Sequence, residues 1–192
     1  MAAPRPIANT RSTAGMPTGR LAVWWLIASE IVIFGGLLAS YVMHRVGHPE
    51  WSFYSQHTQT WAGAINTFVL LTSSLFAVSA HKAADSGDGK KAARFLWMTI
   101  GGALLFLTIK SIEWSIEIRE GFVITTSDFW SFYYTACGLH ALHVIAGAII
   151  MAFVAKDAAK GKELHRVELV GLYWHFVDMI WIFLFPLLYI AK

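Results

Sequence analysis

The sequence predicts an all-α integral membrane bundle of five transmembrane helices. Of 192 residues, 56% are hydrophobic and only 14% charged, whereas a soluble domain carries about a quarter charged residues. The apolar residues also gather into five long runs, each near the roughly 20 residues needed to cross hydrocarbon. The aromatic share is 15%, with 9 Trp and 13 Phe, which suits rings at lipid and headgroup depth. An ordinary soluble enzyme is thereby excluded. The single cysteine, Cys137, excludes a disulfide framework and a Cys-only metal cluster. The net charge of +3 reports topology in such a chain rather than nucleic-acid binding.

Residues 1–20 hold Arg5, Arg11 and Arg20, no acid, and Pro4, Pro6 and Pro17. They lack the apolar stretch and small-residue cleavage site of a signal peptide. The prolines disfavour the amphipathic helix of a transit peptide. A flexible cytoplasmic tail is expected there, followed by one transmembrane domain over residues 21–192. Its spans are expected at 21–43, 61–80, 95–118, 129–154 and 167–190. They are continuous apolar runs rich in Ala, Leu and Met, which favours helix; membrane strands would alternate over about ten residues. Pro186 should kink or stop the last helix. The short connections leave no room for a soluble domain, and no internal or inverted repeat of the transporter kind is visible.

Charge sets the expected orientation. Eleven of the 15 Lys and Arg lie in the tail and around the second and fourth connections, among them Lys90, Lys91, Lys160 and Lys162. Only Arg45, Arg119 and Lys192 lie on the other side. The positive-inside rule then places the N-terminus inside and the C-terminus outside, as five crossings require.

Ionisable groups within spans are costly, so each marks a functional hypothesis. Glu30 lies nine residues into the first span, on the order of 13 Å deep. It reads either as a proton- or lipid-linked carboxyl or as a structural hydrogen bond to a neighbouring helix. Lys110 and Glu113 share a helix face and can pair; packing of the bundle competes there with a transport role, while Glu117 and Glu120 continue toward the surface. His140 and His143 repeat that spacing on the fourth span, and His175 and Asp178 on the fifth. Three imidazoles and a carboxylate can ligate metal, but such groups also bond helices together, especially beside small residues such as Gly138, Ala141 and Gly147. No paired Glu-x-x-His or Cys-based pattern supports a metal site. An oriented His175–Asp178 pair is the expected arrangement. Asn66 and the neighbouring Thr and Ser residues should bond between helices. Trp174 and Trp181 share a face, which suits packing or contact with another subunit or lipid rather than a cofactor box. His44, His48 and His57 fall at or near the first connection, where solvation is expected.

The residues resemble subunit III of the haem-copper terminal oxidases, the cytochrome c and quinol oxidases. The matching stretches are Ser29-Glu30 with Tyr41, the run from Ile65 through Asn66-Thr67 to Ser74, Glu113-Trp114, and Thr126-Ser127-Asp128. The two most specific are Gly138-Leu139-His140-Ala141-Leu142-His143 and Tyr173-Trp174-His175-Phe176-Val177-Asp178. They occur in family order across nearly all of residues 21–190. The resemblance implies a multi-pass subunit of a bacterial inner membrane oxygen reductase, without a catalytic residue, haem or metal of its own. Haem and copper would reside in partner subunits. The chain would pack against oxidase subunit I, with subunit II and small membrane subunits nearby, support proton uptake and stability, and bind phospholipid. Glu30 matches the family's buried glutamate, and His140, His143, His175 and Asp178 match its intramembrane polar positions. Two features depart from the pattern. The two additional helices of the seven-helix members are missing, as in short bacterial members, and Lys110 three residues before Glu113 is atypical. A nitric oxide reductase accessory subunit, a stand-alone redox protein with haem or metal on His140, His143 and His175, and a small transporter are the alternatives.

Overall fold

The computed structural model describes residues 17–191; most of the expected tail lies outside them. The chain forms α1 (Thr18–Gly47), a short α2 (Trp51–Gln56), α3 (Thr60–Asp85), α4 (Gly89–Arg119), α5 (Asp128–Ala159) and α6 (His165–Phe185), and ends in a π-helical turn, Pro186–Ile190. Five of these helices are long and apolar enough to cross a membrane. Four of them extend past both ends of their apolar run, whereas α6 stops at Phe185, short of the expected end; α4, with 31 residues, is about 46 Å long, against roughly 30 Å of hydrocarbon. Hydropathy marks the part of a helix that lipid dictates, whereas the backbone hydrogen bonds continue into the polar zone. For the same reason α1 starts at Thr18, inside the stretch expected to be tail.

The helix ends are sharply specified. Asp88 caps α4 by accepting from the Lys91 amide at 2.9 Å. At the other end of α4, Gly121 has φ 90°, and the Gly121 and Phe122 amides bond back to the Ile118 and Glu117 carbonyls. This is the Schellman closure, which needs a left-handed residue after the helix. The same pair of bonds ends α3 at Gly87 and α5 at Gly161. Pro186 ends α6; beyond it the Ala191 amide reaches back to the Pro186 carbonyl at 2.8 Å, a five-residue step.

α3 through α6 form a four-helix core, with α3 against α4 and α6, and α5 against α4 and α6. α1 lies outside it, mainly against α6. It is apolar all round but buries only Ile27, Phe34 and Tyr41, one residue every two turns, leaving Trp25, Val32 and Met43 exposed. The connection after α1 is more structured than its sequence announces. Trp51 of α2 is buried against Tyr41, Phe129 and Phe132. Tyr41 donates to the Leu187 carbonyl at 2.9 Å, and Arg45 bonds Tyr41 and the Ala191 carbonyl, so the C-terminal turn is tied to α1. His48 and His57, expected to be solvated, are half-buried against Trp51 and Phe122.

Close backbone approach sets one packing constraint. A Cβ on Gly89 would lie 2.1 Å from the Ala158 carbonyl oxygen. Gly89→Ala is therefore expected to destabilise the bundle by about 1–3 kcal/mol through overpacking. Gly101→Ala, where a Cβ meets nothing within 4 Å, should be neutral or slightly stabilising. Thermal unfolding of the two variants in detergent checks this; equal midpoints would contradict it.

Candidate functional site

Three groups of polar side chains lie among the helices. The first joins α1 to α5. The Glu30 carboxylate lies 3.0 Å from His143 Nε2, and both side chains are mostly buried, 13% and 16% exposed. His143 Nδ1 is 2.8 Å from the Leu139 carbonyl. A carbonyl only accepts, so Nδ1 carries a hydrogen. Nε2, the other ring nitrogen, faces Glu30. Phe34 stands edge-on to the imidazole, with ring centres 5.3 Å apart. Gly147, one turn along α5, admits the rings of Trp174 and Tyr173, which a Cβ would approach to 3.2 Å.

The second group binds α6 to α3. His175 Nδ1 and Ser74 Oγ are 2.6 Å apart, Trp174 Nε1 donates to Ser73 Oγ at 3.1 Å, and Trp181 Nε1 donates to Thr67 Oγ1 at 3.0 Å. Of the two readings of Trp174 and Trp181, packing agrees with the structure and contact with another subunit or lipid does not, since they are 0% and 1% exposed. An indole N–H needs an acceptor when buried, and the hydroxyls of α3 supply one on the inward side. His175 bonds Ser74 rather than Asp178. Asn66 and His140 are buried with no hydrogen-bond partner for their side chains, and the buried Asp178 carboxyl faces the same Ser74 hydroxyl that bonds His175. The His140 ring packs between Phe106 and Trp181. Among the described residues, no three or more His, Cys, Asp or Glu side chains come together so as to hold a metal ion.

The third group occupies the α4–α5 seam near the C-terminal turn. Lys110 is 2% exposed and pairs with Glu113 at 3.3 Å, as their spacing allows. It also donates to Tyr133 Oη at 2.9 Å and to Tyr189 Oη. The rings of Trp114, Tyr133, Trp181 and Tyr189 surround its ammonium group at 4.6–5.8 Å, within reach for cation–π attraction. Tyr133 Oη lies 2.8 Å from Glu113 and 2.9 Å from Glu117. Glu117, expected to run toward the surface, is 0% exposed. Tyr133 and Tyr189 carry no signal as isolated tyrosines. The available clue is that Tyr133 precedes His140 by seven residues and so shares its inward face.

Comparison with known proteins identifies the pattern. The family model described as Cytochrome c oxidase subunit III matches residues 9–192. The chain is 30% identical over 199 residues to cytochrome c oxidase subunit 3 of Corynebacterium diphtheriae, covering 100% of this chain and 96% of that one. It is 31% identical over 169 residues to the protein of the same name from Thermostichus vulcanus, covering 85% and 83%. A protein of Aeropyrum pernix named heme-copper oxidase subunit I+III is 30% identical over 187 residues, which take up 90% of this chain and 22% of that one.

Proposed function

The chain belongs to the cytochrome c oxidase subunit III family, and from that membership we propose that it is the non-catalytic subunit packed against subunit I of a respiratory oxygen reductase. The observation that carries the partner is the relative named as subunit I+III, in which the region matching this chain is part of a single polypeptide. The assembly sits in a bacterial inner membrane, with the N-terminus on the cytoplasmic side by the positive-inside rule. It takes electrons from cytochrome c or quinol to oxygen and moves protons. Haem and copper belong to the partner subunits, subunit II and smaller membrane subunits complete the assembly, and this chain brings no redox centre.

Its own contribution centres on Glu30 and His143. A carboxyl and an imidazole in contact between two helices can hold and pass a proton, which suits support of proton uptake by subunit I. Asn66, Lys110, Glu113, His140, His175 and Asp178 serve packing inside the bundle. The apolar crevice of about 260 Å³ between α1 and α6, lined by Phe34, Leu38, Phe176 and Phe183, has room for part of one acyl chain of a phospholipid.

Purification of the tagged chain from native membranes in mild detergent tests this reading. A large haem-bearing chain is expected to co-purify, with a reduced-minus-oxidised haem spectrum and oxygen uptake. A lone colourless chain, or a partner that reduces nitric oxide in place of oxygen, would overturn it.

A further inference from the structure

The Lys110 group has a property that packing alone does not require. We propose that Glu113, Tyr133 and Glu117 form a proton-sharing site, in which one carboxylate and one carboxylic acid are joined through the Tyr133 hydroxyl, with Lys110 as fixed counter-ion.

The hydrogens at the site are too few for two ionised carboxyls. Oxygens 2.8 and 2.9 Å apart, as Tyr133 Oη is from Glu113 Oε1 and Glu117 Oε1, are at hydrogen-bond distance and need a hydrogen between them. The phenol supplies one, and an ionised carboxylate supplies none. Lys110 donates to Tyr133 Oη and Tyr189 Oη and lies 3.3 Å from Glu113 Oε2, and Tyr189 Oη lies 3.1 Å from Tyr133 Oη, so neither group places a hydrogen between Tyr133 Oη and a carboxylate. With both carboxyls ionised, one carboxylate would face a bare phenol oxygen at contact distance, sealed from water. One carboxyl therefore brings its own hydrogen. Glu113 Oε2 lies 3.3 Å from the Lys110 ammonium group, whereas among the described residues Glu117 has no ion-pair partner, and its neighbours are the hydroxyls of Tyr133 and Tyr134. The resting assignment is a carboxylate at Glu113 and an acid at Glu117.

The same geometry permits transfer. The Glu117 Oε1–H bond breaks as Tyr133 Oη gains that proton, and the Tyr133 proton passes to Glu113 Oε1. One proton moves one helical turn from Glu117 to Glu113, and the negative charge moves the opposite way. The other ionisable or charged groups facing the site are Lys110 on α4, Tyr134 and Cys137 on α5 and Tyr189 on the terminal turn. The Glu30–His143 pair has its own set of partners, so this site stands or falls independently of the role proposed there.

Infrared spectra of the chain purified in its native assembly test the site. The expected wild-type spectrum contains a carboxylic-acid C=O band that moves on exchange into heavy water. Glu117→Gln and Glu113→Gln should each abolish that same band without loss of a carboxylate band, because either change leaves one carboxylate for Lys110. Tyr133→Phe should keep the acid but shift its band, since its hydrogen-bond partner is gone. Should Glu113→Gln fail to assemble, the Glu117→Gln and Tyr133→Phe spectra decide alone. Loss of a carboxylate band in Glu117→Gln, or an acid band unmoved by Tyr133→Phe, overturns the proposal.

Discussion

Lys110→Met is expected to destabilise the bundle by about 3–5 kcal/mol, the cost of removing one partner from a buried ion pair. Methionine fills much of the same volume, so the loss is electrostatic rather than a cavity. Glu113 would keep a negative charge in a site where its side chain is 0% exposed, and the Tyr133 and Tyr189 oxygens would lose their common donor. The seam between α4, α5 and the C-terminal turn should loosen first, because those are the elements the ammonium group joins. The double variant Lys110→Met/Glu113→Gln should recover most of the loss, since removing both charges of a buried pair together is often close to neutral. Thermal unfolding and the yield of assembled protein in detergent measure both. A double variant no more stable than the single one would show that the pair is not the cause.

Glu30→Gln has the larger expected effect on activity. Glutamine is nearly isosteric, and His143 keeps its bond to the Leu139 carbonyl, so assembly should be unchanged. What is lost is the carboxyl that, in the role proposed for it, exchanges a proton with His143 Nε2 across 3.0 Å. Oxygen consumption by the assembled complex is expected to slow severalfold or to decay severalfold sooner during turnover. The readout is turnover rate and working lifetime at matched haem content. Unchanged values for both in a fully assembled variant would remove Glu30 from the proton path.

The Lys110–Glu113 pair was legible because three residues on a helix put two side chains on one face whatever surrounds them. Glu30–His143 was not legible as a pair, since nothing local relates α1 to α5. The inward Trp174 and Trp181 show a similar gap. Their spacing defines a shared face, but which way it turns depends on hydroxyls from α3, more than a hundred residues distant in the chain. α2 escaped because it is six residues long, too short to build a periodic signal.

By itself the sequence determined the number of crossings, their class and their order, because lipid requires every backbone group within a span to be bonded locally and the apolar runs report that demand directly. It also determined family membership, through short polar motifs kept in order. Only the tertiary structure decided which polar groups meet. The union of Lys110, Glu113, Glu117, Tyr133 and Tyr189 draws on α4, α5 and the turn after Pro186. Inside hydrocarbon a polar group has no water to turn to, so its partner is set by the rotation and pairing of whole helices, and those are long-range properties of the packed bundle.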